Sequence, residues 1–407
     1  MTQVTRTRGV GLSLLGPAFV AAIAYVDPGN VAANISAGAQ FGFLLVWVIV
    51  MANVMAGLVQ YLSAKLALVT GRTLPEAVRD HTRTPTRIGY WLQAELVAIA
   101  TDLAEVVGGA IALRLLFDLP LLLGGVITGA VSLLLLVVQD RRGQRVFERV
   151  ITGLLLVIAI GFLSSLFVHA PPAGEVAGGL LPRFEGPESV LLATAMLGAT
   201  VMPHAVYLHS GLARDRHGHP DAGAPRTRLL RATRWDVSIA MLVAGAVNMS
   251  MLLIAATNLQ GRDDTDSIEG AHAAVRDALG PTVALLFAIG LLASGLASTS
   301  VGAYAGAMIM QGLLHKTFPL LLRRLVTLIP ALVVLGVGLD PSRALVISQV
   351  VLSFGIPFAL IPLVRLTSNS ALMGLDTNRR LTTTLGWLVA AVITLLNVVL
   401  IYLTLAH

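Results

Sequence analysis

The chain has 407 residues, 56% of them hydrophobic and only 12% charged, with a mean hydropathy of +0.82. That composition excludes an ordinary soluble enzyme and sets the chain among integral membrane proteins. The net charge of +6 sits in short gaps between long apolar runs, so it points to no nucleic-acid partner, and the lack of cysteine excludes disulfides and thiolate chemistry.

A bilayer core of about 30 Å needs roughly 20 apolar residues per helix. That ruler predicts eleven spans, at 12–38, 42–69, 88–117, 120–139, 150–169, 188–211, 236–258, 280–313, 317–338, 342–366 and 382–404. Arg6 and Arg8 precede the first run as in a signal peptide, but Asp27 and Pro28 interrupt it and ten spans follow, so it is read as a retained helix. With alternate connections assigned to opposite sides, 23 of the 28 basic residues fall on the side of the N-terminus, leaving Arg114, Arg183, Arg262, Arg276 and Arg343 on the other. The positive-inside rule then predicts a cytoplasmic N-terminus and a C-terminus outside. Ten acidic residues, among them Asp263, Asp264, Asp266 and Glu269, fall outside. Two readings stand for them: a field that gathers cations at an entrance, or merely a face without a basic bias.

The first span is interrupted at Ala24-Tyr25-Val26-Asp27-Pro28-Gly29-Asn30. Proline has no N–H and clashes with the carbonyl four residues back, so Pro28 frees the Ala24 carbonyl and pushes Asp27 out of helical geometry. The third span carries Glu95, Asp102 and Glu105, a stripe fanning over about 80° of one helix that faces the protein interior. Each ionised carboxylate costs about 2.5 to 3.5 kcal/mol in a membrane segment, so these three and Asp27 need pairing, protonation or water. The ninth span supplies Arg323 and Arg324 as countercharges at much the depth of Glu95, with Asp102 deeper and needing an extended arginine. The carboxylates are then either ion pairs that fix helix packing or a route for protons or ions.

The sixth span repeats the interruption at Ala199-Thr200-Val201-Met202-Pro203-His204, and Pro203 frees the Ala199 carbonyl. Exposed backbone survives in lipid only where it is buried in protein or lines a wet cavity, and a helix C-terminus suits a cation. The Ala24 and Ala199 carbonyls, the Asp27 carboxylate, the Asn30 amide oxygen and the Met202 thioether together read as a site for a divalent transition metal. The sulfur disfavours Mg²⁺ and Ca²⁺, which prefer oxygen alone. Taken singly, Met202 reads as a core filler and Asn30 as a helix cap; their positions beside the two prolines carry the metal reading. The breaks lie 175 residues apart, and five spans precede the second, so a duplicated half inserts upside down, with 12–169 and 188–366 as the two repeats and 382–404 as an added helix.

Asp27-Pro28-Gly29-Asn30 in span 1 with Met202-Pro203-His204 in span 6 resembles the Nramp family of proton-coupled divalent-metal transporters, in its bacterial manganese branch. The resemblance covers the whole chain and implies an all-α membrane protein of the LeuT type, a 5+5 inverted repeat with an eleventh helix, in the bacterial inner membrane. It implies import of Mn²⁺ and Fe²⁺, with Cd²⁺ and Co²⁺ also carried, no cofactor and no obligatory protein partner. By that resemblance Asp27, Asn30, Met202 and the Ala24 and Ala199 carbonyls hold the metal, and Gln349 in span 10 joins them in some conformations. It also assigns proton handling to Asp27, His204, Glu95, Asp102, Glu105, Arg323 and Arg324, although His204 is equally a candidate for a satisfied core histidine. Rival readings are an amino-acid transporter of the same fold, disfavoured by a carboxylate and a thioether at the breaks, and a metal-gated channel. The glycine-flanked serine and aspartate motifs of intramembrane proteases are missing.

Overall fold

The computed structural model describes residues 16–142, 144–168, 170–261, 267–316 and 319–406, and every regular element among them is helical. In chain order these are α1 (Pro17–Ile23), α2 (Pro28–Phe41), α3 (Val46–Thr70), α4 (Leu74–Asp80), α5 (Thr84–Phe117), α6 (Leu121–Arg142), α7 (Gln144–Val168), α8 (Ala173–Gly178), α9 (Gly186–Thr200) and α10 (Pro203–His217), then α11 (Ala224–Asn258), α12 (Ile268–Leu279), α13 (Pro281–Leu314), α14 (Leu320–Val337), α15 (Pro341–Thr367), α16 (Ser370–Met373) and α17 (Arg380–Ala406). Helix ends follow local chemistry. Pro341 opens α15 behind Asp340, whose carboxylate accepts the Ser342 and Arg343 N–H groups at 2.9 and 3.2 Å. Gly71 and Gly338 close α3 and α14 in the left-handed region.

Eight stretches are long and apolar enough to cross a bilayer, the paired α9 and α10 counting as one. The broken α1–α2 pair, α6 and α14 complete the eleven expected spans, and α4, α8, α12 and α16 lie in the connections. Arg6, Arg8, Arg262, Asp263, Asp264 and Asp266, with the starts of the first and ninth expected spans, lie outside the described residues.

The helices sort by side-chain size. Leu96 on α5 and Leu242 on α11 stand 64% and 70% exposed, which suits lipid, whereas α13 is buried along its Gly, Ala and Ser run from Gly290 to Gly306. Small residues let α13 lie against α5, and α5 in turn packs on α6, α14 and α15. The first broken helix is enclosed because α2 packs on α9 and α11.

Two carboxylates at the edges of expected spans are interior, Asp236 at the start of the seventh and Glu148 just ahead of the fifth. α11 starts at Ala224 and not near 236, which carries Asp236 inward to accept the Gly16 and Ala18 N–H groups at 3.2 and 3.1 Å. Those are orphan donors at the start of α1, and a buried acceptor is their cheapest partner. Likewise α7 starts at Gln144, and Glu148 is buried beside Arg216 at 3.4 Å.

Candidate metal site

Pro28 stops α1 by steric rule. The chain tightens into one 3-10 turn at Ala24–Val26, and Asp27 is extended at φ −70°, ψ 168°. Asp27 then caps α2, its Oδ1 accepting the Asn30 backbone N–H at 2.7 Å. Pro203 acts the same way: α9 ends at Thr200, Met202 is extended at φ −65°, ψ 122°, and α10 begins. Both residues preceding the prolines are therefore extended.

The breaks meet. Asn30 Nδ2 donates to Asp27 Oδ1 at 2.9 Å and to the Ala199 carbonyl at 2.8 Å. Ala24, Asp27, Asn30, Ala199, Met202 and Gln349 are all at most 1% exposed. The expectation of an unpaired carbonyl at each break is corrected for the second: the Ala199 oxygen holds the Asn30 amide, because a dehydrated carbonyl without a donor is costly. At the first break the Val26 carbonyl accepts from Ser294 Oγ at 2.5 Å and the Tyr25 carbonyl from Asn248 Nδ2 at 2.7 Å. The 3-10 turn at Ala24–Val26 closes the first half-helix just ahead of Pro28, which has no N–H to continue the α ladder.

At this junction two buried oxygens, Asp27 Oδ2 and Gln349 Oε1, accept no hydrogen bond from the described residues. Gln349 belongs to this junction because its amide lies against Gly29, where a methyl group would collide with Gln349 Cδ and Nε2. Orphaned acceptors beside a carboxylate are what a cation would satisfy. No group of three His, Cys, Asp or Glu side chains clusters among the described residues as a resident metal site would. One carboxylate with neutral donors suits an ion that must leave as well as enter.

α5 passes hard by the first break, since a methyl on Gly108 would strike the Pro28 ring. Along that helix the two expected arginines divide the carboxylates between them. Arg323 Nη2 meets both Glu95 oxygens at 2.9 and 3.1 Å, and Arg324 forms a close ion pair with Asp102 while its Nε reaches Ser132 Oγ at 3.2 Å. Glu105 differs, being 1% exposed with neither oxygen accepting a hydrogen bond among the described residues. His204, the second residue of α10, places Nδ1 3.3 Å from Thr101 Oγ1, next to Asp102 in sequence. The structure thus brings the candidate residues Asp27, Asn30, Ala199 and Gln349 to one junction, with Met202 buried at the second break, and places Glu105, Asp102 and Glu95 along α5 with His204 of α10 beside Thr101.

Residues 18–403 match the family described as Nramp, natural resistance-associated macrophage protein-like. The chain belongs to the Nramp family. It is similar to the divalent metal cation transporter MntH of Mycobacterium tuberculosis, 72% identical over 405 residues that cover 99% of this chain and 95% of the relative. Its fold is similar to a crystal structure of the Eremococcus coleocola manganese transporter, with 34% identity, a TM-score of 0.85, and coverage of 95% of this chain and 86% of that one. MhsT, solved with L-phenylalanine, shares the fold at 14% identity and a TM-score of 0.62 over 96% of this chain and 97% of its own. The LeuT-type architecture expected from the sequence is thereby shown, and this Nramp chain is a multi-pass transporter, not an enzyme.

The sequence reading of this Nramp chain passed over the polar residues that hold the breaks open. Asn248 and Ser294 stand in spans 7 and 8, Thr200 Oγ1 lies 3.5 Å from Asn30 Oδ1, and Gln60 links the Tyr25 hydroxyl to His209 Nδ1, the latter at 2.8 Å. A scan for uncharged Asn, Gln and Ser in apolar spans would have found them, because a polar group inside a membrane needs a partner as a carboxylate does.

Proposed function

We propose that this chain imports divalent transition-metal ions, Mn²⁺ and Fe²⁺ with Cd²⁺ and Co²⁺ as further cargo, across the bacterial cytoplasmic membrane together with protons. The observation that carries the reading is the Asn30 amide spanning Asp27 and the Ala199 carbonyl, with Met202 and the unpartnered Gln349 oxygen buried at the same junction. The names borne by the similar proteins, a divalent metal cation transporter and a manganese transporter, support it.

In this mechanism an ion loses most of its water at the junction and takes the Asp27 carboxylate, the Asn30 oxygen, the Met202 sulfur and the Ala24 and Ala199 carbonyls, with Gln349 joining from α15. Carbonyl oxygens at a helix C-terminus supply the negative dipole end. Ion entry displaces a proton from Asp27, and that proton passes by His204 and Glu105 to Asp102 and the arginine-flanked Glu95. The chain is oriented with its N-terminus in the cytoplasm, as the segregation of 23 basic residues supports. An inside-negative potential of 100 mV favours a divalent ion by about 4.6 kcal/mol, so coupling to protons adds direction more than force. Residues 12–169 and 188–366 act as repeats of opposite orientation, each opening on a helix broken before a proline, with 382–404 as an addition; rocking α1, α2, α9 and α10 against the rest gives alternating access.

The test is uptake of radiolabelled Mn²⁺ into proteoliposomes with a pH dye inside, challenged by a metal series and repeated with Asp27→Ala. Saturable uptake that acidifies the lumen, yields to Fe²⁺, Cd²⁺ and Co²⁺ but not to Mg²⁺, and vanishes in the variant is expected. Uptake that leaves the dye unmoved removes the proton, and uptake surviving Asp27→Ala removes the site.

A further inference from the structure

We propose that a groove between the beginning of α5 and the end of α13 binds one anionic phospholipid. The groove encloses about 450 Å³, far more than a packing defect, at the end of the bundle where most of the basic residues lie. Its lining divides by chemistry. Arg87 and Lys316 supply the charge, and Ile88, Trp91, Met310 and Leu314 supply the apolar wall. No acidic side chain lines it, and neither Arg87 nor Lys316 is paired with a carboxylate among the described residues. Arg87 makes one neutral hydrogen bond, to Thr84 Oγ1 at 2.6 Å, which leaves most of its guanidinium donors for a phosphate.

The groove opens on lipid. Ile88, Leu92 and Leu96 follow one another at helical spacing on the outer face of α5 and are 43%, 52% and 64% exposed. A headgroup at Arg87 and Lys316 therefore leaves an acyl chain free to run over Ile88 and Trp91 toward the membrane interior, and one amphiphile satisfies both halves. A soluble anion would leave the apolar half empty, and a neutral lipid would leave two cations unanswered.

Occupancy also reaches the ion pairs. Trp91 Nε1 donates to Glu95 Oε1 at 3.1 Å, and Glu95 is the partner of Arg323 at 2.9 Å. A chain packed on the indole ring fixes the donor that orients Glu95. This consequence for transport rests on the proton-coupling reading above; the binding does not.

Native mass spectrometry of the full chain, released from bilayers of mixed phosphatidylcholine and phosphatidylglycerol, tests it. The wild type should retain one phosphatidylglycerol in preference to phosphatidylcholine, and the Arg87→Gln/Lys316→Gln double variant should retain it roughly thirtyfold less. Leu314→Trp, which fills the apolar half with both charges intact, should also lose the lipid, and a matched thermal unfolding curve reports that each variant is folded. Equal retention by the double variant, retention unchanged in Leu314→Trp, or displacement of the lipid by inorganic phosphate would each overturn the site. If binding holds but Arg87→Gln/Lys316→Gln leaves the pH dependence of Mn²⁺ uptake unaltered, the lipid has no hold on Glu95.

Discussion

Asn30 and Ala199 are joined by one hydrogen bond, 2.8 Å from the side-chain nitrogen of the first to the carbonyl of the second, across 169 residues of sequence and between two broken helices. The same NH₂ group holds Asp27 Oδ1 at 2.9 Å. One amide thus occupies two of the oxygens proposed for the metal, and loading requires it to turn and offer its own oxygen. Asn30→Ala removes this bridge and the ligand together. Without metal the variant should lose about 1 to 3 kcal/mol of stability, the usual result of stranding buried acceptors, and its Mn²⁺ affinity by calorimetry should fall about tenfold, the equivalent of 1.4 kcal/mol. Wild-type affinity would mean that Asn30 is a cap and nothing more.

Met202 is the one soft donor at the junction and is fully buried. Met202→Ala should keep Mn²⁺ uptake at reduced affinity while Mg²⁺ and Ca²⁺ become much better competitors, since the remaining oxygens suit hard ions. The readout is the ratio of inhibition constants for Ca²⁺ and Cd²⁺, because a cavity alone would weaken all metals alike. A ratio that does not move returns Met202 to the core.

The eleven spans were legible because twenty-residue apolar runs admit no other reading, and the breaks because Pro28 and Pro203 cannot sit inside a helix without freeing a carbonyl. That Arg323 and Arg324 are the countercharges was legible from depth; which carboxylate each one takes was not. What closes the breaks was not. Ser294 and Asn248 reach the Val26 and Tyr25 carbonyls from 268 and 223 residues away, and no local signal in an Ala- and Gly-rich helix announces that contact. The burial of Asp236 and Glu148 was not legible for a related reason: a boundary read from hydropathy stops at the first polar residues, whereas helices α7 and α11 run on beyond the apolar stretch and carry those acids into the interior.

Asp102 and Arg324 are 3% and 1% exposed, so each is stranded if the other goes. Asp102→Asn should destabilise the protein by about 3 to 5 kcal/mol, whereas a double change to Asp102→Leu and Arg324→Met should recover most of that loss. Transport separates structure from chemistry. If the pair only fixes packing, the double variant should regain normal pH dependence of Mn²⁺ flux. The proposed proton route predicts that it regains stability and remains nearly insensitive to pH. A double variant with wild-type pH response would move the route off α5.

Acid should loosen the contact between α4 and the second broken helix. Thr73 and Glu76 form a reciprocal cap at the start of α4, with the Thr73 N–H at 2.9 Å from Glu76 Oε2, and Arg214 near the end of α10 meets the same oxygen at 2.8 Å. Partial burial pushes the Glu76 carboxyl up, but the Thr73 N–H and the Arg214 guanidinium together outweigh it and hold the group below the usual range. A carboxylate lowered in the folded state adds stability above its unfolded pKa of about 4.3, and that stability is lost as the pH falls through the lowered folded value. Hydrogen exchange of the α4 amides should therefore stay slow at neutral pH and accelerate below about pH 4. In Glu76→Gln, which keeps a cap but no charge, protection should be weaker at neutral pH and should not fall further on acidification. An acid response that persists in the variant would assign the weak point to another carboxylate.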